Sequence, residues 1–187
     1  MAFAPLVTKR LTLRAMTIDD APALAERRSD PTTAEYQSWT VPYALERAQK
    51  LITEVIAKDG PRPGDWFQAA ITLTGTGQTV GDVVAFLTEN GHTAEIGYTL
   101  DIDARGNGYA TEAAAAMIDH LVHVIGVHRI EASTHPENVA SNRVLERLGF
   151  SLEGIKRESY WVEDVVSDDA MWGLLARDWR GLEDRER

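Results

Sequence analysis

Two short stretches hold residue types suited to an anionic ligand. The first is Arg105-Gly106-Asn107-Gly108-Tyr109-Ala110, between a β-rich run and a long helical one. Glycines at a strand-to-helix junction let successive backbone N–H groups turn toward one point. The helix N-terminus adds partial positive charge, so the segment reads as a phosphate or pyrophosphate cradle. Arg105 adds a guanidinium fork. The same glycines also suit a plain loop in which they only relieve backbone strain, so taken alone they leave both readings open. The second stretch is His135-Pro136-Glu137-Asn138-Val139-Ala140-Ser141-Asn142-Arg143. Asn138 can cap the helix that follows while its amide stays available, and Ser141 and Asn142 lie one turn in. Capping alone is the simpler account of these residues.

Other chemistries fail on context. Gly106-x-Gly108 lacks the third glycine of a dinucleotide fingerprint and follows a hairpin meander, where a βαβ unit is required. Gly75-x-Gly77 sits in a hairpin turn, and no Gly-Lys-Ser/Thr occurs anywhere. His120 and His123 lie three apart on one helix without a recognisable ligand set, so no metal is expected. Cysteine is absent, which excludes disulfides, thiolate ligands and a cysteine nucleophile. Trp39, Trp66, Trp161, Trp172 and Trp179 read as core or cleft wall, because no basic patch accompanies them to hold nucleic acid. The formal net charge of -10 argues the same way, since phosphate contacts dominate nucleic-acid affinity. Excess acid serves solubility first and would also draw in a protonated amine. No apolar run approaches the roughly 20 residues that cross a bilayer, and Met1 to Leu6 lacks the pattern of a secretory signal. A cytoplasmic protein with no membrane or nucleic-acid partner is expected.

The elements that must position these residues follow from periodicity. The chain has 187 residues, enough for one sizeable core and short for two, so one domain is expected over 1–187. Leu11 to Arg14 reads as a strand. Thr17 and Asp20 form a capping box for a helix through Arg28, and Pro31 to Pro42 reads as a loop. Leu45, Ala48, Ile52, Val55 and Ile56 mark one face of a second helix. Trp66 to Leu73, Val80 to Thr88 and Thr93 to Leu100 form an antiparallel meander, with Asn90-Gly91 predicted as a type I′ turn. A long helix runs from Tyr109 to Ile125, its alanines permitting close approach to a sheet. His128 to Thr134 is a strand, Asn138 to Leu148 a helix stopped at Gly149, and Ser151 to Val162 and Ala170 to Leu175 close the fold. The charged tail from Arg177 onward is expected to fray.

Here the two stretches resemble a family pattern. Arg105-x-x-Gly108-x-Ala110 is similar to the coenzyme A loop of the GNAT superfamily of N-acetyltransferases. Glu95-Ile96-Gly97-Tyr98-Thr99-Leu100 before it and Thr111-Glu112-Ala113 after it resemble the branch that modifies ribosomal proteins. Asn138-x-x-Ser141, Leu145-x-x-Leu148-Gly149-Phe150 and the opening Thr8 to Arg14 also match that branch. The resemblance spans residues 8–179, leaving 180–187 as a polar tail. Two ordered motifs at the right separation are far more specific than either one.

The resemblance implies an α+β fold: a mixed, mostly antiparallel splayed sheet of about seven strands with about four helices. Acetyl-CoA is then the co-substrate, lying in the splay. The strand edge at Tyr98, Leu100 and Ile102 would pair with the pantetheine. Backbone amides of Gly106, Asn107, Gly108, Tyr109 and Ala110 would hold the pyrophosphate beside Arg105, with a side chain at Gly108 crowding it. Asn138 would reach the pantetheine, and Asn142 or Arg143 the nucleotide end. The acceptor would be an amine on a peptide N-terminus or a small molecule, attacking directly in a ternary complex. It would be chosen by the Pro31 to Pro42 loop, the second helix and the Glu158 to Asp169 region. A homodimer is compatible with this reading.

The chemistry sets the remaining roles. An attacking amine must be neutral, and a peptide α-amine has a pKa near 8 where lysine lies near 10.4. Glu95, on the strand leading into the gap, is therefore a candidate base through one water. A second account leaves Glu95 as an exposed strand residue. Ser141 resembles the hydroxyl that protonates the leaving sulfur in the ribosomal branch. Tyr160 is a rival acid and Glu158 a rival base, two apart and so expected on one strand face. If none of these four reached the reaction centre, the chain would be a module that binds acetyl-CoA without turnover. An unrelated anion-binding interaction protein is the third reading.

Overall fold

The computed structural model describes residues 3–181. Eight strands form one sheet: β1 (Leu6–Val7), β2 (Leu11–Ala15), β3 (Trp66–Leu73), β4 (Thr79–Leu87), β5 (Thr93–Leu100), β6 (Arg129–Thr134), β7 (Ser151–Val162) and β8 (Val165–Leu175). Their order is β1-β2-β3-β4-β5-β6-β8-β7, and only β5 and β6 pair in parallel. The helices are α1 (Ala21–Ser29), α2 (Pro31–Ala34), α3 (Leu45–Ile56), α4 (Tyr109–His120) and α5 (Val139–Leu148). The expected mixed, mostly antiparallel class is the observed one. The extra strand is the two-residue β1. The extra helix is α2, a single turn inside the expected Pro31–Pro42 loop, with Pro31 in its first turn and Asp30 accepting from the Thr33 N–H (2.8 Å).

The sheet is covered on both faces. On one side Ala113, Ala114, Met117, Ile118 and Leu121 pack with Leu145 and Leu148 against Phe67, Ile71, Val83 and Ile96, as the helical spacing of these apolar residues requires. On the other, Leu24, Ala48 and Ile52 cover Ala70. The long helix widens into a π-turn over Leu121–Ile125 and stops at Gly126, φ 85°. The Asn90-Gly91 turn departs from expectation. Gly91 alone has positive φ (70°) and its N–H bonds to Thr88 O (2.8 Å), so the hairpin closes without the mirror-image turn. Order also extends past Arg177. Ala176–Asp178 form a short 3-10 turn, and Trp179 is buried with its Nε1 donating to Asp119 Oδ1 (2.6 Å). Residues 182–187 of the expected tail lie outside the described residues.

A buried ion network ties α1 to the middle of the sheet. Arg27 donates from Nη1 to Asp82 Oδ1 (2.7 Å) and from Nε to Asp101 Oδ1 (2.6 Å), and Gln68 Nε2 donates to Asp82 Oδ2 (2.7 Å). The Arg27 and Asp82 side chains are only 1% and 3% exposed. The network fixes Asp101, where the chain leaves β5 for the glycine segment.

The feature that makes a site is the parting of β5 from β6. They pair at Thr93↔Arg129, Ala94↔Ile130 and Glu95↔Glu131 and no further. Beyond that point β5 stays with β4 as far as Leu100↔Gly81, and β6 stays with β8 as far as Thr134↔Ala170. A wedge opens with Glu95 and Glu131 at its apex.

Candidate active site

The wedge widens into a cavity of about 960 Å³, walled by the 34–40 segment, the start of α5 and the β7–β8 hairpin. Glu95, Tyr98, Asn138, Ser141 and Tyr160 all line it; Glu158 does not. The β5 edge from Ile96 to Leu100 has no strand beside it on the wedge side. The expected edge is shorter than predicted, because Ile102 has left the strand for an exposed 3-10 turn over Ile102–Ala104. The Leu100 side chain is buried, so only its backbone faces the gap.

Past the end of β5, Gly106 and Gly108 both have φ +77°, a conformation that only glycine adopts at little cost. Gly108 is the N-cap of α4. The backbone N–H groups of Gly106, Asn107, Gly108, Tyr109 and Ala110 donate to no acceptor among the described residues. Unpaired amides at the start of a helix are what a phosphate needs. Asn107 turns its side chain back into the loop, donating to Ala104 O and Arg105 O (both 3.2 Å).

The guanidinium expected to serve this cradle lies elsewhere. Arg105 donates from Nη2 to Thr33 Oγ1 (2.5 Å) and from Nε to Leu100 O (3.3 Å). It therefore clamps the loop to α2. The cation at the loop is Arg10, which sequence reading did not single out. Its Nη1 donates to Asn107 O (2.8 Å), its Nε to Glu112 Oε2 (2.6 Å), and it lies 4.8 Å over the Tyr109 ring. Glu112 also accepts from Thr8 Oγ1 (2.6 Å). Burial alone would raise the Glu112 carboxyl, and these hydrogen bonds hold it below its ordinary value. The partners are 102 and 104 positions apart in the chain, so no local pattern announces the brace.

At the start of α5, Asn138 accepts from the Ser141 N–H (3.1 Å) and its Nδ2 makes no hydrogen bond among the described residues. Ser141 Oγ lies 3.1 Å from the Tyr98 hydroxyl. Burial pushes the Tyr98 phenol up, offset in part by Ser141, so Tyr98 keeps its proton and can offer it in a hydrogen bond. Asn142 directs its amide into the fold on both sides. Its Oδ1 accepts from Thr134 Oγ1 (2.6 Å) and its Nδ2 donates to Pro136 O (2.9 Å), which ties α5 to β6. Arg143 is exposed on α5.

Glu95 sits at the apex. Burial raises its carboxyl above the ordinary value, the negative charges of Glu131 and Asp169 raise it further, and Lys156 offsets a part. Side chains alternate along a strand, so Glu95 and Tyr98, three apart, leave β5 from opposite faces. Tyr160 is also pushed up by burial, with Ser38 offsetting part of that and Asp169 adding to it. The expected shared face of Glu158 and Tyr160 does not form. Pairing with β8 shifts register between Lys156 and Tyr160, and Glu158 adopts φ 51° there with its N–H on Asp168 Oδ1 (2.8 Å). The irregularity turns Glu158 out to solvent and breaks the alternation.

The family model for the acetyltransferase (GNAT) domain matches residues 10–151. The chain belongs to the GNAT acetyltransferase family. It is 33% identical over 178 residues to the uncharacterized N-acetyltransferase p20 of Bacillus licheniformis, covering 94% of this chain and 98% of that one. It is 31% identical over 88 residues to the ribosomal protein uS5-alanine N-acetyltransferase of Escherichia coli, 47% of this chain and 45% of that one. Among solved structures it superposes on RimJ of Mycobacterium smegmatis in complex with a CoA disulfide. That match has a TM-score of 0.83 and 26% identity, and covers 97% of this chain and 91% of the other. The protein is thus an acetyl-CoA-dependent N-acetyltransferase.

The chain's own residues fit that co-substrate: unpaired amides for a pyrophosphate, an open strand edge for an amide-bearing arm, and a half-buried acid where the arm would end. Among the described residues no helix is long and apolar enough to cross a membrane. In this acetyltransferase the demand on Gly108 falls on the backbone. A Cβ there would meet only Arg10 Nη2, at 3.4 Å. Valine would hold φ +77° only at a strain of about 1–3 kcal/mol, so the loop should rearrange and its amides lose their aim. Gly108→Val is expected to weaken acetyl-CoA binding at least about tenfold, or ~1.4 kcal/mol, in calorimetry. Unchanged affinity in a folded variant would remove the phosphate cradle.

Proposed function

We propose that this acetyltransferase moves the acetyl group onto a primary amine, a peptide α-amine or a small cationic amine, by direct attack in a ternary complex. The observation that carries this is the parting of β5 and β6 at Glu95↔Glu131, with a carboxylate of raised pKa at the apex. Acetyl-CoA supplies an activated carbonyl and a thiolate leaving group. Glu95 takes the proton from the amine through one water, and its raised pKa brings it nearer to the amine it must deprotonate. A backbone N–H of β5 beyond Glu95 meets the charge that develops on the carbonyl oxygen. On the other face of β5, Ser141 hands its proton to the departing sulfur and regains one from solvent, while the Tyr98 hydroxyl, 3.1 Å away, holds Ser141 Oγ in place.

A carboxylate base favours an α-amine. With a pKa near 8, about a tenth of such amines are neutral at physiological pH, against well under a hundredth for lysine near 10.4. Mass spectrometry of a peptide bearing both a free N-terminus and an internal lysine is the test. Acetylation at the N-terminus is expected, and acetylation confined to the lysine would overturn the choice of α-amine. Ser141→Ala is expected to lower kcat by about tenfold or more while acetyl-CoA affinity stays within about twofold, since the hydroxyl acts only as the sulfur leaves. A full kcat in Ser141→Ala would return the acid role to Tyr160 or to solvent.

A further inference from the structure

Acids dominate the cavity wall, with Glu35, Glu95, Glu137, Glu163 and Asp169 among them. Of the cations on that wall, Lys58 is already held by Asp65 (2.6 Å). Arg28, in the last turn of α1, also lines the cavity, and no carboxylate among the described residues pairs with it. Instead its guanidinium carbon lies 4.3 Å over the Trp39 ring and 5.1 Å from the Tyr43 ring. Its Nη1 donates to the Tyr43 hydroxyl (3.1 Å), and Trp39 Nε1 donates back to Arg28 O (2.9 Å). Arg28 Nε is shielded from solvent and has no hydrogen-bond partner.

This is a guanidinium fixed in place by stacking, with Nη1 on the Tyr43 hydroxyl and Nε and Nη2 unspent among the described residues. Aromatic faces orient a guanidinium without consuming its N–H donors. A shielded donor left unsatisfied destabilises the fold, and a ligand that satisfies it recovers that cost. The planar partner that matches two parallel N–H groups is a carboxylate. Acids alone would attract any cation, so they select no particular amine. A pre-oriented arginine on the same cavity wall does select.

We propose that Arg28 recognises a carboxylate on the acceptor. The acceptor is then a dipolar molecule, its amine directed to Glu95 and its carboxylate to Arg28. This rests on the amine-transfer reading above and narrows it. The carboxylate has two sources, an acidic side chain near a peptide N-terminus or the terminal carboxylate of a very short peptide.

Two matched pairs of acceptors separate the sources: Ala-Asp-Ala-amide against Ala-Asn-Ala-amide, and Ala-Ala against Ala-Ala-amide. Thiol release with acetyl-CoA saturating gives kcat/KM for each. In at least one pair the acid form should exceed its neutral partner by about tenfold or more, mostly through KM, and that pair identifies the source. R28Q should bring the ratio close to one, and R28K, which keeps the charge but loses the fork, should leave an intermediate ratio. If R28Q does not fold, the fall in ratio for R28K alone decides. Ratios near one in the wild-type protein, or a preference that survives the substitution, would overturn the proposal and leave amine transfer standing. No N-acetylated product from any of the four peptides would overturn the proposal together with the peptide α-amine as acceptor.

Discussion

Glu95→Gln is expected to lower kcat for an α-amine peptide by about 10²–10⁴-fold, the range that a positioned general base contributes. Glutamine keeps the size and hydrogen-bonding shape of the side chain and cannot take a proton. The pH–rate profile carries a second signature. Burial, then Glu131 and Asp169, raise the Glu95 carboxyl, with Lys156 opposing. The acidic limb of kcat/KM should therefore lie above the ordinary carboxylate range and vanish in the variant. Stability should move the other way. A carboxyl whose folded pKa exceeds its unfolded pKa favours the fold while protonated, and that contribution is lost as pH rises through the folded pKa. At neutral pH the ionised Glu95 is thus a cost, and Glu95→Gln should melt no lower than the wild type. A variant that loses activity because it loses stability would contradict this assignment. A fully active variant with an unchanged acidic limb would transfer the base role to ordered water.

Arg27→Leu is expected to cost about 3–5 kcal/mol of unfolding free energy, because removing one partner of a buried pair leaves the other charge uncompensated. Asp82, 3% exposed at the pair, is the group left behind, and Gln68 then supplies its one remaining bond. The loss is a large fraction of the roughly 5–15 kcal/mol that holds a typical domain together. The damage should reach the site, since Arg27 also holds Asp101 (2.6 Å) at the exit of β5, five residues before the first positive-φ glycine. The double substitution R27L/D82L should recover much of the stability by removing both charges at once. Denaturant midpoints for the three chains check this. A single-variant cost below about 1 kcal/mol would mean that solvent reaches the network, contrary to its burial.

Much of the fold is legible because its signals are local. The three-strand meander follows from alternation and turn residues, and its registers hold from Trp66↔Phe86 to Gly81↔Leu100. Positive φ at Gly106, Gly108 and Gly149 and the Asn138 cap belong to the same class. What escaped local reading depends on distant contacts. Arg105 and Arg10 both lie near the cradle in sequence or in space, and only the packing of β1–β2 against α4 shows that Arg10 holds the loop while Arg105 holds Thr33. Glu158 was misplaced because period-2 alternation assumes an unbroken strand, and β7 is broken between Lys156 and Tyr160. Glu95 is readable as a candidate, but the burial that chiefly raises its pKa, and Glu131 and Asp169 that raise it further, depend on packing with strands far along the chain.

Thiol release from acetyl-CoA, followed with and without an amine, tests most directly whether the wedge is where the two substrates meet. The chain has no cysteine, and the proposed route passes through no acetylated protein. Without acceptor, release should be negligible and the protein's mass unchanged. On adding an α-amine peptide, thiol and N-acetyl peptide should appear together in equal amounts. Acetyl-CoA that binds but is never turned over with any amine, or an acetyl group that appears first on the protein, would contradict direct transfer.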